Sequence, residues 1–485
     1  MDDGGISREL QDRLEEHKSE QASQPGTLEL SEGTGFVGDE VTLAGRDLPA
    51  GERLNVVWHT STGRWGLVQA NEVMDPVYEP RTETILSVDT DEDGAFDETW
   101  QVHEDYGGEH VVEVQTRGGT TLASSEYLVE PHFELDRTTA PLGEAFRLTA
   151  YGLGPDRVTN NYQVTWNNSY VGFLTGVLNR GTATAEIRAV GPPGEHAVQI
   201  WRSPEGMPYL QNYTQSPLGE MTDDRTTSWT VEVTEPDERP ETAWMDPLLE
   251  EHPIEEHLVD PDEDTGASLS VSPTSGQSGT DAIVTGEGFP PNTEVDLVWH
   301  THAGHRFMHD TVTAEPRLDV LPTVETDAAG SFQVDVTIPR DIGETRPIAA
   351  EVDGRSVATT AFVLQPEIVD ISPTSGPVGT EIDVKVAGLG WARYENNYCV
   401  LYDNSLSGYV CSHNRTDSDE DGSLVHFRLK AGGQPGLHFI DLIPTFNDTR
   451  VEDFKLENRP HLSYIDNHPL RPLPGIHFAF EVTAE

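Results

Sequence analysis

An internal duplication is the feature that most constrains what this chain can fold into. Glu79-Pro80-Arg81 recurs 236 positions later as Glu315-Pro316-Arg317, and Asn160-Asn161-Tyr162 recurs at the same distance as Asn396-Asn397-Tyr398. One constant offset over about a hundred residues indicates that the second half is a diverged copy of the first.

Each half divides again into two units, because a 485-residue chain is long enough for several separate cores. The predicted divisions are 1–26 (polar N-terminal segment with a short helix), 27–130 (domain 1), 131–235 (domain 2), 236–266 (acidic, Pro-rich linker), 267–365 (domain 3, the copy of domain 1) and 366–485 (domain 4, the copy of domain 2). We expect the linker, which contains Trp244 and Met245, to dock on a neighbouring domain.

Short β-branched or aromatic runs, several of them alternating, are separated by Gly, Pro, Asn and Asp throughout the chain, which predicts an all-β fold of tandem sandwiches. The N-terminal segment is the exception, since Ile6, Leu10 and Leu14 lie four apart and predict a short helix. Together these patterns predict a stiff rod of four domains.

The openings of two domains resemble a known domain type. Ile371-Ser372-Pro373-Thr374-Ser375-Gly376 and Val271-Ser272-Pro273-Thr274-Ser275-Gly276 each precede an alternating strand and a Gly-rich corner. This combination resembles the opening of an IPT/TIG immunoglobulin-like domain, and the resemblance implies four tandem immunoglobulin-like β-sandwiches. It implies little about function, because such domains occur in surface proteins, enzymes and viral fibres.

The charge is strongly negative, with 85 Asp and Glu against 30 Lys and Arg, a formal net charge of −55. At roughly 1 M salt the Debye length is about 3 Å, so such a surface is screened and stays hydrated. The composition resembles that of haloarchaeal proteins. Nucleic acid is excluded as an expected partner, since phosphate binding needs clustered Lys and Arg.

No stretch approaches a membrane span, and the first 25 residues lack the apolar region of a signal peptide.

Two acidic turns and one histidine cluster are candidate metal sites. Each turn has three carboxylates before a Gly, as in the first half of a calcium loop, but lacks the bidentate Glu. We interpret both as acidic hairpin tips, with weak Ca²⁺ or Mg²⁺ binding as the alternative. His300 and His302 would share one face of a strand, yet the other copy has only His59, so we favour surface histidines. The acidic residues are Asp89, Asp91 and Asp93 in one turn and Asp417, Asp419 and Asp421 in the other.

Two cysteines and four Asn-x-Ser/Thr sequons are the candidate modification sites. Cys399 and Cys411 lie symmetrically about Ser405 in a hairpin, which favours a disulfide over two reduced thiols. The sequons, a weak hint of surface exposure, begin at Asn167, Asn212, Asn414 and Asn447.

No catalytic or phosphate-binding motif is present in the sequence, so we expect a structural or binding protein and not an enzyme. The first hypothesis is a virion protein of a haloarchaeal virus: a capsid turret, capsid decoration or tail fibre that recognises the host. The alternative is a haloarchaeal cell-surface or secreted adhesion or envelope protein. Expected partners are further copies of the chain, capsid or tail proteins, and host surface glycans or envelope proteins, without membrane insertion.

Overall fold

Every regular element that the structure describes is a β-strand. The structure is a computed structural model that describes residues 24–66, 75–155, 161–177, 179–202, 226–236, 238–247, 261–262, 265–308, 311–389, 397–412, 423–444 and 475–484. Over these residues, no helix has the length and hydropathy needed to cross a bilayer. The all-β prediction is confirmed, and the helix predicted around Leu10 lies outside the described residues.

The first eight strands form two sheets. They are β1 (Thr27–Leu30), β2 (Thr34–Gly35), β3 (Glu40–Arg46), β4 (Arg53–Gly66), β5 (Asp75–Asp89), β6 (Phe96–Gln101), β7 (Gly108–Gln115) and β8 (Thr121–Val129). The sheet orders are β1-β3-β6 and β2-β8-β7-β4-β5. Val41 and Leu43 alternate inwards from β3 and pack in one core with Trp58, as the period of two dictates.

The second domain repeats this arrangement. Its strands are β9 (His132–Leu135), β10 (Thr139–Pro141), β11 (Ala145–Tyr151), β12 (Asn161–Trp166), β13 (Ser169–Thr175), β14 (Ala183–Arg188), β15 (Gly194–Arg202) and β16 (Thr226–Thr234). The sheet orders are β14-β11-β9 and β10-β16-β15-β12-β13.

The described part of the linker contains one strand, β17 (Ala243–Met245), and eight described strands of the third domain follow it. They are β18 (Ser268–Ser272), β19 (Ser275–Gly276), β20 (Asp281–Glu287), β21 (Glu294–Met308), β22 (Thr311–Glu325), β23 (Phe332–Thr337), β24 (Glu344–Val352) and β25 (Arg355–Leu364). The sheet orders are β18-β20-β23 and β19-β25-β24-β21-β22.

The fourth domain completes the set. Its strands are β26 (Glu367–Ser372), β27 (Ser375–Gly376), β28 (Glu381–Ala387), β29 (Asn397–Tyr402), β30 (Ser405–Cys411), β31 (Leu424–Lys430), β32 (Gly436–Pro444) and β33 (Ile476–Val482). The sheet orders are β26-β28-β31 and β17-β33-β32-β29-β30, with β27 also paired to β33. All four domains therefore share one strand order, that of an immunoglobulin-like sandwich.

Equivalent tight turns join the fourth and fifth strands of domains 2 and 4. Asn167 and Asn168 have φ angles of 48° and 66°, and Asp403 and Asn404 have 48° and 63°. Two successive left-handed residues are typical of a type I′ hairpin turn, and Asn and Asp tolerate that region best after Gly.

Candidate functional site at the domain interfaces

The sequence Trp58-His59-Thr60, which recurs as Trp299-His300-Thr301, positions a buried carboxylate in domain 1. Asp105 is fully buried and accepts hydrogen bonds from Trp58 Nε1 at 2.7 Å and Thr60 Oγ1 at 2.7 Å. The backbone N–H of Tyr106 donates to the same carboxylate at 2.8 Å. A buried carboxylate needs such donors because burial strips it of water.

Domain 3 repeats this arrangement with the same geometry. Asp341 accepts from Trp299 Nε1 and from Thr301 Oγ1, both at 2.7 Å, and from the backbone of Ile342 at 2.7 Å. The Trp and Thr of the repeated motif are therefore structural. They fix the loop that leads into the next domain.

That loop contacts the following domain in both copies. Gly107 N–H donates to Leu153 O at 3.1 Å, and Gly343 N–H donates to Leu389 O at 2.9 Å. Gly107 is required here because a Cβ would lie 1.9 Å from Gly152 O. The duplicated unit is thus a pair of domains with a preserved joint.

Charged groups reinforce the joint between domains 1 and 2. Arg180 of domain 2 lies 3.2 Å from Asp105 and 3.0 Å from Glu83, both in domain 1. Tyr106 OH also donates across the joint to Val177 O at 2.6 Å. Burial lowers the pKa of His103 beside this group.

A second interface joins domain 2 to domain 4. Arg188 on β14 is 8% exposed, and its Nε donates to Asp441 Oδ1 on β32 at 2.9 Å. Its Nη1 donates to Gly143 O at 2.7 Å, and Asn404 Nδ2 donates to Arg188 O at 2.8 Å. The predicted rod is therefore wrong, because residues distant in sequence bring the second and fourth domains into contact.

His477 on β33 extends this group towards the linker. Its Nδ1 lies 2.6 Å from Asp441 and its Nε2 lies 3.0 Å from Asp246. As an imidazolium it donates to both carboxylates. Arg188 Nη2 lies 2.7 Å from His477 Nδ1 and 2.9 Å from Asp441 Oδ1, so it donates to the same carboxylate while its charge opposes protonation of His477. With His477 protonated, two cations balance two anions. We call Arg188, Asp441, His477 and Asp246 the interdomain charge cluster.

The pKa values in the cluster follow from this pairing. Burial would lower the pKa of His477, but hydrogen bonds to Asp246 and Asp441 raise it. Burial would raise the pKa of Asp441, but the charge of Arg188 and the bond from His477 lower it. The pKa of Asp246 is lowered too, since His477 outweighs its burial.

The linker docks on domain 4, as expected of its apolar residues. β17 pairs antiparallel with β33, and the rings of Trp244 and His477 lie 5.2 Å apart. Arg188 lies over the ring of Trp244 at 4.8 Å, a cation–π distance. One short segment therefore touches both domains that the charge cluster joins.

A cleft of about 860 Å³ lies between domain 2, the linker and domain 4. Leu142, Pro240 and Ile443 are among its apolar lining residues, and Arg188 and Asp246 are among its charged ones. Its size is within the range of ligand pockets. The cleft follows from contacts between distant segments, so no local sequence pattern could reveal it.

The first acidic turn is fully described. Asp91 Oδ1 accepts from the N–H groups of Asp93 and Ala95 at 2.9 and 2.8 Å, and Asp89 lies 3.7 Å from Arg53. Asp327 makes the same turn contacts in domain 3. Where the structure describes the chain, no three His, Cys, Asp or Glu side chains are grouped to hold a metal ion, so Ca²⁺ or Mg²⁺ binding stays a prediction. The second turn, Asp417, Asp419 and Asp421, lies outside the described residues.

The histidine pair has diverged between the two copies. His59 lies 3.2 Å from Glu113. Burial would raise the pKa of Glu113, but hydrogen bonds from His59 and Gln115 lower that pKa to about 2. At the equivalent position His300 Nε2 is buried without a hydrogen-bond partner, and burial lowers the pKa of His300. The backbone places His302 two residues further along β21, opposite Pro316. A metal site at His300 and His302 stays a prediction.

The register of the cysteine hairpin differs from the predicted one. A bulge between Val400 and Leu401 places buried Cys399 opposite Tyr409, and Cys411 opposite Asn397. The two cysteines are therefore diagonal neighbours and do not face each other directly. Diagonal pairs are farther apart than direct pairs, which weakens the geometric argument for a disulfide. The disulfide itself stays a prediction.

One sequon lies in the described residues. Asn167 Oδ1 accepts from Ala197 N–H at 3.0 Å, and its Nδ2 lies 2.7 Å from His196 Nδ1. A glycan on Nδ2 would replace that second contact. Asn212, Asn414 and Asn447 lie outside the described residues.

The chain matches no known family profile and no curated protein. Similar solved structures include Salmonella α-2-macroglobulin reacted with methylamine (9% identity, 93% of this chain, 30% of that chain, TM-score 0.18). A second is the D1–D4 ectodomain fragment of ICAM-5 (12% identity, 95% of this chain, 100% of that chain, TM-score 0.17). A third is a membrane-anchored protein from Corynebacterium diphtheriae (10% identity, 70% of this chain, 91% of that chain, TM-score 0.18). The chain spans less than half of the α-2-macroglobulin, and at TM-scores this low the likenesses carry no argument about function.

Proposed function

We propose that this chain is a non-catalytic assembly or recognition protein of a particle surface. The observation that carries the proposal is the placement of ion pairs between domains: partly exposed Arg180 pairs with buried Asp105 between domains 1 and 2, and buried Arg188 pairs with buried Asp441 between domains 2 and 4. Buried ion pairs between domains favour one relative placement of the domains, because any other packing of the same surfaces leaves a charge desolvated without its partner. A body of fixed shape suits a scaffold or a binding platform.

Within that class, we propose a virion protein of a haloarchaeal virus: a capsid turret, capsid decoration or tail fibre that acts in host recognition. The net charge of −55 supports molar-salt conditions, and the IPT/TIG-like openings of domains 3 and 4 support an exposed array. Its partners would be further copies of the chain, capsid or tail proteins, and glycans or envelope proteins of the host surface.

The second candidate is a haloarchaeal cell-surface or secreted adhesion or envelope protein. The sequons at Asn212, Asn414 and Asn447 favour it, because glycosylation requires the export machinery. Disulfide formation between Cys399 and Cys411 would favour it as well, since disulfides persist in oxidising compartments.

Fractionation separates these two functions. Purified virions and host envelopes from an infected haloarchaeal culture would be analysed by quantitative mass spectrometry. The virion proposal predicts that the chain co-purifies with capsid proteins at a fixed ratio through a density gradient. Enrichment in envelopes of uninfected cells would support the second candidate and refute the first. Immunogold labelling of intact particles would then locate the chain on the capsid or the tail.

A further inference from the structure

The tight turn of domain 4 is held by a buried histidine. Asp403 Oδ1 accepts from Phe439 N–H at 2.9 Å, and Asp403 Oδ2 lies 2.5 Å from His438 Nδ1. His438 is 7% exposed, and its Nε2 lies 2.8 Å from Gln434 O. A carboxylate and a carbonyl only accept hydrogen bonds, so both ring nitrogens donate and His438 is an imidazolium.

The tight turn of domain 2 has the same contacts without the charge. Asn167 occupies the position of Asp403, and its Oδ1 accepts from Ala197 N–H at 3.0 Å. Because that oxygen accepts, the Asn167 Nδ2 group donates to His196 Nδ1 at 2.7 Å. His196 Nε2 then donates to Pro192 O at 2.8 Å, so one ring proton satisfies this histidine. The same arrangement of hydrogen bonds is therefore neutral in domain 2 and ionised in domain 4.

The ionised turn is the one that contacts another domain. Asn404, next to Asp403, is 2% exposed and donates to Arg188 O of domain 2 at 2.8 Å. Phe439, whose N–H donates to Asp403, packs against Gly143 of domain 2, where an added Cβ would lie 2.7 Å from the ring. Asp403 thus contacts both residues of this turn region that reach domain 2.

The charge difference follows this difference in surroundings. The residues of domain 2 that correspond to Asn404 and Phe439 are Asn168 and Ala197, and both are exposed. A charge-assisted hydrogen bond is roughly twice as strong as a neutral one, so an ionised pair holds its turn more firmly. The stronger pair is present where a turn lies between two domains, and the weaker pair where the turn is exposed.

We propose that Asp403 and His438, the turn ion pair, form a pH-sensitive device that holds the turn of domain 4 against domain 2. With His438 protonated, the ring and Phe439 N–H hold the two oxygens of the Asp403 carboxylate. A neutral ring has a single N–H, so it donates to Asp403 or to Gln434 but not to both. Loss of the second ring proton therefore loosens the turn that carries Asn404.

The direction of the pH dependence follows from the surroundings of His438. Burial would lower the pKa of His438, but the hydrogen bond and the charge of Asp403, with the carbonyl of Gln434, raise it. Tyr402, whose ring stacks on the imidazole at 5.7 Å, stays neutral because burial raises its pKa. On the neighbouring strand β33, the residue opposite His438 is the uncharged Phe480. The turn ion pair is therefore complete below pH 6.5 and is lost as the pH rises through the raised pKa of His438.

Nuclear magnetic resonance of histidine labelled with ¹⁵N in the ring tests the charge assignment. At neutral pH His438 should show two protonated ring nitrogens, and His196 should show one. Asp403→Asn copies the arrangement of domain 2, where Asn167 has the same φ of 48°, so this variant is compatible with the fold. In the variant, the pKa of His438 should be lower by at least about one unit. An unchanged titration of His438 would overturn the proposal.

Hydrogen exchange tests whether the pair acts on the interface. A change of one pKa unit corresponds to about tenfold in an equilibrium constant, so Asp403→Asn should lower the protection factor of Phe439 N–H about tenfold at low pH. The protection factors of Gly143 and Ala189, which flank the contact in domain 2, should fall with it. In the natural chain, the same losses should occur as the pH rises through the titration of His438. His477 is present in both proteins, so its own titration cancels in the comparison.

The duplication supplies a matched control. Asn167→Asp builds the same ion pair on the exposed turn of domain 2, so it should give His196 a second ring proton and leave the protection of Phe439 and Gly143 unchanged. If Asp403→Asn alters Phe439 but leaves Gly143 and Ala189 as protected as before, the pair serves only its own turn and the proposed action on the interface is refuted.

Discussion

Removing the guanidinium of Arg188 is expected to separate domain 2 from domain 4. Arg188→Met keeps most of the apolar stem but deletes the donors to Asp441 and Gly143, leaving Asp441, which is 3% exposed, without its arginine. Breaking one side of a buried pair costs about 3–5 kcal/mol. Since every 1.4 kcal/mol is tenfold, the ratio of separated to closed forms should rise by roughly two to three and a half orders of magnitude.

Small-angle X-ray scattering measures this directly, as an increase in the maximum dimension of the particle. Hydrogen exchange should rise in parallel at residues 439–443 of β32, which carry Asp441. The duplication supplies a matched control, because Lys430 occupies the position equivalent to Arg188 and is exposed. Lys430→Met should change neither measurement.

A double substitution tests the electrostatic cause. Arg188→Met combined with Asp441→Leu removes both charges, and it should restore much of the closed form, since replacing a buried pair by apolar side chains is often neutral. If Arg188→Met stays as compact as the natural chain, with unchanged exchange in β32, the reasoning that this cluster holds the two domains together is refuted.

Three further predictions concern single groups. The pKa of His477 is raised above 6.5 by Asp246 and Asp441, so its stabilisation of the linker contact is complete below pH 6.5 and is lost as the pH rises through the raised value; hydrogen exchange of residues 476–478 at increasing pH should show loss of the β17–β33 pairing, and His477→Gln should remove that transition. Asp105→Ala leaves three buried donors unpaired and should lower the free energy of unfolding of domain 1 by at least about 2 kcal/mol in denaturant titrations, whereas Asp97→Ala, on the surface, should not. Gly181→Ala places a Cβ 2.4 Å from Asp105 O, whereas the control Gly119→Ala has a similar φ and nothing within 4 Å of the added Cβ. Gly181→Ala should therefore lower Tm more than Gly119→Ala does, and equal decreases in Tm would show that the contact is unimportant.

The sequence predicted the sandwiches well because the signals for strands and turns are local. Alternation in β3 places Val41 and Leu43 in the core, and Asn167 and Asn168 form the tight turn that their type favours. The role of the Trp-His-Thr repeat was not predicted: only its histidine was considered, and a surface histidine was favoured over a metal ligand. The pairing of Trp58 with Asp105 shows that the Trp and Thr serve the domain joint. The spacing between the paired residues differs between the copies, 47 residues from Trp58 to Asp105 against 42 from Trp299 to Asp341, so the pairing could not be assigned without the fold.

The cysteine hairpin shows a second limit. Cys399 and Cys411 are symmetric in sequence, but a single bulge at Val400 shifts the register, and such a bulge depends on side-chain packing.

By itself the sequence determined the duplication, the four all-β domains and the docking tendency of the linker, because repeat offset, residue alternation and local apolarity are properties of short segments. Only the tertiary structure decided that Arg188, Asp246, Asp441 and His477 meet, and with them that domain 2 lies against domain 4. Arg188 and His477 are separated by 289 positions, and nothing in the neighbourhood of either residue specifies the other. Their pairing depends on how whole domains pack, since a buried charge selects whichever partner the assembled surfaces bring within reach.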